Sequence, residues 1–298
     1  MESNIYFGSE FMIAANTLFE TEYSYDDSKI IVFGAPFDST TSYRPGTRFA
    51  SRTMRAESYG LEYYSPGQDF ELTDVPFFDA GDLNLSFGDT KQTLNIIENY
   101  TAEVIADNKF PLMIGGEHLL TLAPVSVVSK KHSDLALIHF DAHADLRDEY
   151  LGVKLSHASV VRRIHDFLGD NSIFQFGIRS GDKAEFDFAK EHTRLQLFDF
   201  NGLEEVIKKI QGRPVYFTLD LDVLDPSCFP GTGTPEAGGV TFLELMKAAF
   251  KVFDGCDVIG FDMMELSPPY DPSGISTATA LKLLREFLIR INGNLARG

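Results

Sequence analysis

The sequence predicts a three-layer α/β/α fold around a mainly parallel sheet of roughly eight strands. Short, largely apolar segments recur along the 298 residues, and most are separated by segments with helical periodicity. Strands of this kind are typical of parallel sheets that helices cover on both faces. No linker rich in proline, glycine or serine interrupts the pattern, so we expect a single domain over residues 1–298.

The predicted elements follow in chain order. Residues 1–29 show no regular period and should form an N-terminal arm used in subunit contacts. After the first strand and a loop, a helix should begin near Thr47. The strand segments are residues 29–36, 75–78, 110–114, 135–140, 172–176, 195–198, 215–219 and 258–261. The helical patterns are residues 91–106, 119–129, 157–168, 183–191, 203–210, 242–253 and 277–291.

Charge and composition narrow the range of partners. The chain has 26 basic and 44 acidic residues, a formal charge of -18, which argues against nucleic acid or an anionic membrane and fits a cationic ligand. Its two cysteines, Cys228 and Cys256, form no disulfide pattern. The first residues lack the features of a secretory signal, and no apolar run reaches transmembrane length. We therefore expect a cytoplasmic protein.

Polar segments follow five of the predicted strands, at the points where the strands end. These segments are GGEH, DAHAD, GIRSGD, DLD and DMMELSP. In parallel α/β sheets, ligands bind beyond the carboxyl ends of the strands. The sequence therefore predicts that these segments together form the rim of an active site.

The DAHAD segment carries the first indication of a metal. Asp141, His143 and Asp145 stand at positions i, i+2 and i+4, a spacing that on an extended strand end directs three side chains to one side. Buried carboxylates without a cation would cost several kcal/mol each or become protonated. A divalent metal site is the prediction, whereas His139, deeper in the strand, should be a hydrogen-bonded core residue.

Two other strand ends add metal-competent groups, namely His118 in GGEH and the pair Asp220 and Asp222 in DLD. The combined set has too many oxygens for structural zinc and too many histidines for calcium. It suits Mn²⁺, with Fe²⁺, Co²⁺, Ni²⁺ and Zn²⁺ as alternatives. The set is large enough for two metals if two aspartates bridge them, and such a pair would activate a shared water.

These motifs resemble a known family. GGEH, DAHADLR, SHAS and DLDVLDPSCFPGTGTPEAGG are similar, in order, to segments of the ureohydrolases, the arginases and agmatinases with their relatives, from about Gly34 to about Asp271. The resemblance implies an arginase-like fold and a site with two Mn²⁺ ions. A hydroxide bridging the metals would attack the guanidinium carbon of a substrate and release urea and an amine. By the same resemblance, one metal is held by His118, Asp141, Asp145 and Asp220, and the other by Asp141, His143, Asp220 and Asp222.

The resemblance also implies two catalytic residues. Glu265, in MELSPPYD, matches the family carboxylate that pairs with the substrate guanidinium, and such pairing would orient it for attack. His157, in SHAS, matches the histidine that carries a proton to the leaving amine, a role that a pKa near neutrality fits.

We expect the loop after DAHAD, residues 146–155, to determine which substrate tail binds. It lacks the Asn and Ser with which arginases hold an amino acid, and DLRDEY, SHAS and PGTGTPEAGG are more similar to bacterial-type agmatinases. We expect agmatine as substrate and putrescine as product, which implies polyamine biosynthesis. Asp182 stands where arginases contact the α-amino group, and Arg147 could bind a carboxylate tail or an acidic neighbour.

Other functions remain open at this point. Arginine or 4-guanidinobutyrate could replace agmatine, formiminoglutamate could be the substrate, or the chain could be a silent metal-binding scaffold. The resemblance also suggests a homotrimer or homohexamer. Asp38, Arg44 and Arg48 should be structural or subunit-contact residues, and Glu236 a structural or supporting one.

Overall fold

The computed structural model describes residues 17–297. These residues contain ten strands, namely β1 (Ile30–Gly34), β2 (Tyr64–Ser65), β3 (Phe70–Glu71), β4 (Phe77–Asp82), β5 (Phe110–Ile114), β6 (Ala136–Phe140), β7 (Ile173–Ile178), β8 (Arg194–Leu197), β9 (Pro214–Asp220) and β10 (Asp257–Met264). Eight of them form one sheet in the order β4-β1-β5-β10-β9-β6-β7-β8, and every neighbouring pair is parallel. The predicted fold class is confirmed. The antiparallel pair β2 and β3 was absent from the prediction.

Residues 17–297 contain eight α-helices, of which seven lie between strands and the eighth follows β10: α1 (Ala50–Glu57), α2 (Thr90–Ala106), α3 (Leu122–Lys131), α4 (Val160–Leu168), α5 (Lys183–His192), α6 (Leu203–Lys209), α7 (Phe242–Gly255) and α8 (Ile275–Leu295). Helices pack on both faces of the sheet. Val32 of β1 belongs to one hydrophobic core, whereas the next residue, Phe33, belongs to another. Successive side chains of a strand point to opposite faces, so each face of the sheet has its own core.

Several boundaries differ from the prediction, and three of these differences have a clear physical reason. Helices α3 and α4 begin three residues later than predicted, because a short 3₁₀ turn precedes each of them, at His118–Thr121 and His157–Ser159. Strand β4 extends past its predicted end because buried Asp79 interrupts its apolar pattern. Asp79 is stabilised there by an ion pair with Arg55, in which Nε lies 2.7 Å from Oδ2.

Of the predicted N-terminal arm, residues 1–16 lie outside the described part of the chain. The following segment packs against the domain: Leu18 and Phe19 are buried, and the Leu18 amide donates to Asp79 Oδ2 at 2.8 Å. That the whole chain forms one domain stays a prediction. Within residues 17–297, no helix is long and apolar enough to cross a membrane.

Candidate metal centre and active site

The site lies at the carboxyl ends of the four central strands, β5, β10, β9 and β6. His118 follows β5, Glu265 follows β10, Asp220 ends β9 and Asp141 follows β6. Although β9 and β10 follow β6, β7 and β8 in sequence, they lie between β5 and β6 in the sheet. This crossover brings four distant segments of sequence to one edge of the sheet, where ligands bind in such folds.

The DAHAD side chains converge by a different route from the predicted one. Strand β6 ends at Phe140, and His143 forms only an isolated bridge with Ser180. Asp145 has a positive φ of 53°, so the backbone turns there instead of continuing as a strand. A left-handed aspartate costs of order 1–3 kcal/mol, and such strain is typical of functional sites.

His118 occupies the first of two linked ligand clusters. Its Nε2 lies 2.8 Å from Thr218 Oγ1, and the Thr218 hydroxyl donates in turn to Asp262 Oδ1 at 2.5 Å. Because that hydroxyl proton is directed at Asp262, Thr218 accepts from the Nε2–H of His118. The imidazole therefore has its lone pair on Nδ1.

That Nδ1 faces carboxylate oxygens alone. It lies 3.0 Å from Asp141 Oδ2, 3.1 Å from Asp220 Oδ2 and 3.6 Å from Asp145 Oδ2, yet it is buried without a hydrogen bond within residues 17–297. A lone pair facing carboxylate oxygens is repulsive unless a proton or a metal cation lies between them. Although burial opposes it, the carboxylates of Asp141 and Asp220 raise the pKa of His118 well above its ordinary value. The group therefore fits a metal ion, and its members are those of the first predicted ligand set.

The second cluster shares Asp141. His143 Nδ1 lies 3.0 Å from Asp222 Oδ2 and 3.5 Å from Asp141 Oδ1, whereas the other oxygen of Asp141 faces His118. Asp141 thus offers one oxygen to each cluster, as a bridging ligand would. Asp220 directs Oδ2 to His118 but accepts the Asp222 amide with Oδ1 at 2.8 Å, so its bridging role stays a prediction.

The electrostatics of the site indicate a need for positive charge. Burial, followed by the charges of its aspartate neighbours, raises the pKa of Asp220 well above the ordinary value, and the pKa of Asp145 is raised in the same way. The four aspartates, Asp141, Asp145, Asp220 and Asp222, are all buried. When all four are ionised, as metal ligands must be, their negative charges balance the charge of two divalent cations.

His139 is a hydrogen-bonded core residue, as predicted. Its Nδ1 lies 3.1 Å from Gln175 Nε2, which can only donate, so the ring proton is on Nε2, 2.8 Å from Asp141 Oδ2. Burial lowers the pKa of His139, which keeps the ring neutral. The ring thus orients Asp141 and leaves the ligand positions to the other residues.

Glu265 is held rigidly beside the ligand cluster around His118. Its φ is 65°, its amide donates to Gly116 O at 3.0 Å, and its Oε1 accepts the His118 amide at 2.8 Å. Burial first, then nearby carboxylates such as Asp222, raise its pKa to about 8. Gly116 allows this close packing, because a Cβ there would lie 1.9 Å from the Phe37 carbonyl oxygen. Glu265 lines the cavity above the metal cluster.

His157 also lines this cavity. Its Nε2 lies 3.3 Å from Ser42 Oγ, and its amide donates to Thr40 Oγ1 at 3.0 Å. Burial, together with the charges of His143 and His118, lowers its pKa to about 4. The expected pKa near neutrality was therefore wrong, and the imidazole is neutral at pH 7 and able to accept a proton.

The mouth of the cavity is formed by the loop after DAHAD and the start of α5. Arg147 Nε lies 3.2 Å from Glu185 Oε2, its Nη1 lies 3.7 Å from Asp182 Oδ2, and its guanidinium lies 4.6 Å from the Tyr150 ring centre. Asp182 caps α5 in a reciprocal box with Glu185 and is half-exposed, next to Gly181 and Arg147, which line the cavity. Two carboxylates against one guanidinium leave the mouth with one excess negative charge.

Sequence reasoning missed Glu185, Tyr150, Thr218 and Asp262. Only Glu185 had a local signal, the Asp-x-x-Glu spacing of a capping box. Thr218 and Asp262 act through contacts between distant segments, which local spacing does not reveal, whereas Tyr150 contacts Arg147 within one loop that has no regular period.

The supporting residues match their structural prediction in part. Asp38 is buried and pairs with Arg48, and Arg44 donates to the carbonyls of Gly233 and Thr232 at 3.2 and 3.1 Å. Glu236 accepts from Ser180 Oγ at 2.9 Å. These contacts tie the loops that surround the cavity to one another, whereas subunit contacts are untested.

A parallel α/β sheet with a buried His/Asp cluster at its carboxyl edge is the arrangement of an α/β enzyme with a candidate metal site. The model of the arginase family matches residues 28–289. The agmatinase of Bacillus cereus is 46% identical over 270 residues, which cover 89% of this chain and 93% of that protein. The chain therefore belongs to the arginase family, and the predicted resemblance is confirmed.

Two further relatives show how the family varies. The guanidinobutyrase of Pseudomonas aeruginosa is 35% identical over 281 residues, which cover 89% of this chain and 86% of that protein. The crystal structure of agmatine ureohydrolase of Thermoplasma volcanium has a TM-score of 0.86 to this chain at 33% identity, covering 96% of this chain and 97% of that one. The family thus includes members named for different guanidino substrates.

Proposed function

We propose that this chain hydrolyses agmatine to putrescine and urea. Its family membership makes it a ureohydrolase-type hydrolase, and the proposal concerns the substrate. The observation that carries the choice is the state of Arg147. Because its positive charge is already balanced by Glu185 and Asp182, that guanidinium attracts a carboxylate tail less than an unpaired arginine would.

The excess negative charge at the mouth supports the same choice. The free end of agmatine is an ammonium group, and half-exposed Asp182 presents a carboxylate beside Gly181 and Arg147, which line the cavity. A carboxylate tail, as in 4-guanidinobutyrate, would instead face two acidic side chains. Arginine carries both charges and would have to place its carboxylate in the same acidic surroundings.

We propose two Mn²⁺ ions as the resident metals. His118, Asp141, Asp145 and Asp220 would hold one, and Asp141, His143, Asp220 and Asp222 the other. When bound, such a pair lowers the pKa of water and supplies a nucleophile at neutral pH. The mixed nitrogen and oxygen ligand set supports manganese over the other divalent metals.

Glu265 would bind and orient the substrate guanidinium. Its carboxylate is fixed by one hydrogen bond from the His118 amide and by a constrained backbone, so little ordering is needed when substrate binds. A cationic guanidinium would also lower the pKa of this carboxyl and keep it ionised.

His157 would move a proton. The neutral imidazole can accept a proton within the cavity and then donate it to the leaving amine nitrogen, which must be protonated to depart. Ser42, 3.3 Å from Nε2, would orient the ring for this transfer.

A side-by-side assay tests the proposal. The Mn²⁺-loaded protein should release urea from agmatine with a higher kcat/KM than from arginine or 4-guanidinobutyrate. Faster turnover of arginine would refute the substrate assignment. Turnover of formiminoglutamate alone would point to that chemistry, and metal binding without any turnover would indicate a silent scaffold.

We further propose that the enzyme is a cytoplasmic homotrimer or homohexamer that serves polyamine synthesis. Two free cysteines support a reducing compartment. Light scattering coupled to size exclusion should give a mass three or six times that of the 33.2 kDa chain.

A further inference from the structure

Three side chains of types that can bind a metal meet at the edge of the sheet opposite the active site. His165 lies in the last turn of α4, Asp170 precedes β7, and His192 is the last residue of α5. Both helices begin at the carboxyl edge of the sheet and end here, at its amino edge. Among residues 17–297, this is the one group of three such ligands that shares no residue with the candidate metal centre.

The two imidazoles converge on a single oxygen atom. His165 Nε2 lies 2.9 Å from Asp170 Oδ1, and His192 Nδ1 lies 2.8 Å from the same atom. Neutral histidine and carboxylate bind Zn²⁺ at about 2.0–2.2 Å, with ligand atoms spread tetrahedrally around the ion. Small outward rotations of these side chains would therefore place all three ligand atoms around one cation.

The rings are held in place while the carboxylate stays accessible. His192 packs on the Phe188 ring with centres 4.2 Å apart, and His165 meets the same ring edge-on at 5.0 Å. The Asp170 side chain is 55% exposed and that of His192 is 32% exposed, so a cation and a water ligand can reach them. Two nitrogens, one oxygen and an open position are the ligand set of an accessible zinc site.

The backbone adds a second, independent attraction for a cation. The C-terminal ends of α4 and α5 both point at the group, and each carries the partial negative charge of a helix C-terminus. The turn at Gly169, with φ 71°, brings Asp170 back against the end of α4. Separate helices and a loop thus place all three ligands before any ion binds.

We propose that His165, Asp170 and His192 bind one Zn²⁺ ion, separate from the candidate metal centre. The ion would join the far ends of α4 and α5. The near ends of these helices begin beside His157 and at Asp182, so the ion would restrain two helices that position the cavity mouth.

Zinc and manganese contents of the Mn²⁺-loaded protein, measured by elemental analysis after equilibration with micromolar Zn²⁺ and desalting, test this proposal. His192→Gln and Asp170→Asn should each retain one zinc per chain fewer than the wild type, with unchanged manganese. Zn²⁺ should also raise the Tm of the wild type and leave that of both variants unchanged. His132→Gln is the matched control, because it removes a partly exposed histidine at the end of α3.

Equal zinc content in the wild type and both ligand variants would overturn the proposal. An equal loss of zinc in His132→Gln would overturn it too, since zinc would then bind surface histidines without selectivity. Because metal content is measured rather than turnover, the result does not depend on the assigned substrate.

Discussion

Replacing Thr218 by valine tests the link between Asp262 and the metal cluster. The substitution keeps the shape of the side chain but removes the hydroxyl that lies 2.8 Å from His118 Nε2 and donates to Asp262 at 2.5 Å. His118 then loses the contact that holds its lone pair on Nδ1, towards the three aspartates. Loss of such a supporting contact typically weakens metal binding by about ten- to a hundredfold.

The same substitution should lower the free energy of unfolding of the metal-free protein. Three buried groups lose a partner: the His118 Nε2–H and one Asp262 oxygen, at about 1–3 kcal/mol each, and the Thr121 hydroxyl, whose 3.3 Å contact with Thr218 Oγ1 is longer and weaker. Because Tyr216 still donates to the other oxygen of Asp262 at 2.9 Å, we expect a total of about 2–4 kcal/mol.

Manganese titration by calorimetry and urea denaturation with and without metal would measure both effects. Thr101→Val is the matched control, because Thr101 is equally buried but its hydroxyl has no hydrogen-bond partner within residues 17–297. That variant should bind metal normally, and it should unfold at a urea concentration no lower than that of the wild type. Normal metal affinity in Thr218→Val, or an equal loss of affinity in Thr101→Val, would refute the role of Thr218 in holding His118 for metal binding.

Further substitutions address the remaining roles. Glu265→Gln should lower kcat/KM for agmatine by about ten- to a hundredfold through the loss of one charged hydrogen bond, with unchanged metal content; normal kinetics would argue against its contact with substrate. His157→Asn should lower turnover by about a hundredfold or more and keep its metal, whereas Asp220→Ala should lose metal; equal metal loss would mean that His157 is misassigned. Because the pKa of His157 is lowered to about 4, folded protein binds its proton less readily than unfolded protein, so stability should fall as pH drops from about 6.5 towards 4. In His157→Asn, the free energy of unfolding should fall less steeply over this pH range, as acid unfolding curves would show. Gly116→Ala should destabilise the fold, because its Cβ would collide with the Phe37 carbonyl; a wild-type Tm would contradict the packing.

Much of the fold was predictable because it is encoded locally. Continuous apolar runs such as Phe110–Ile114 form buried strands, and all eight predicted strands are present in the sheet. The boundary of β4 was misplaced because Asp79 is stabilised by Arg55, 24 residues away in sequence. When a charged residue in a buried strand is stabilised by a residue far away in sequence, the local sequence does not show that the strand is buried.

The sequence by itself determined the side-chain types of the candidate metal centre and, through its motifs, the family. The tertiary structure decided the remaining features. The insertion of β9 and β10 between β5 and β6 brings the ligands together, the Thr218–Asp262 pair sets the His118 tautomer, and Arg147 is neutralised by Glu185. Local spacing specifies which side chains lie near one another along a strand or helix. Which strands become neighbours, and which buried charges meet, depends on crossover connections and on packing of the whole chain.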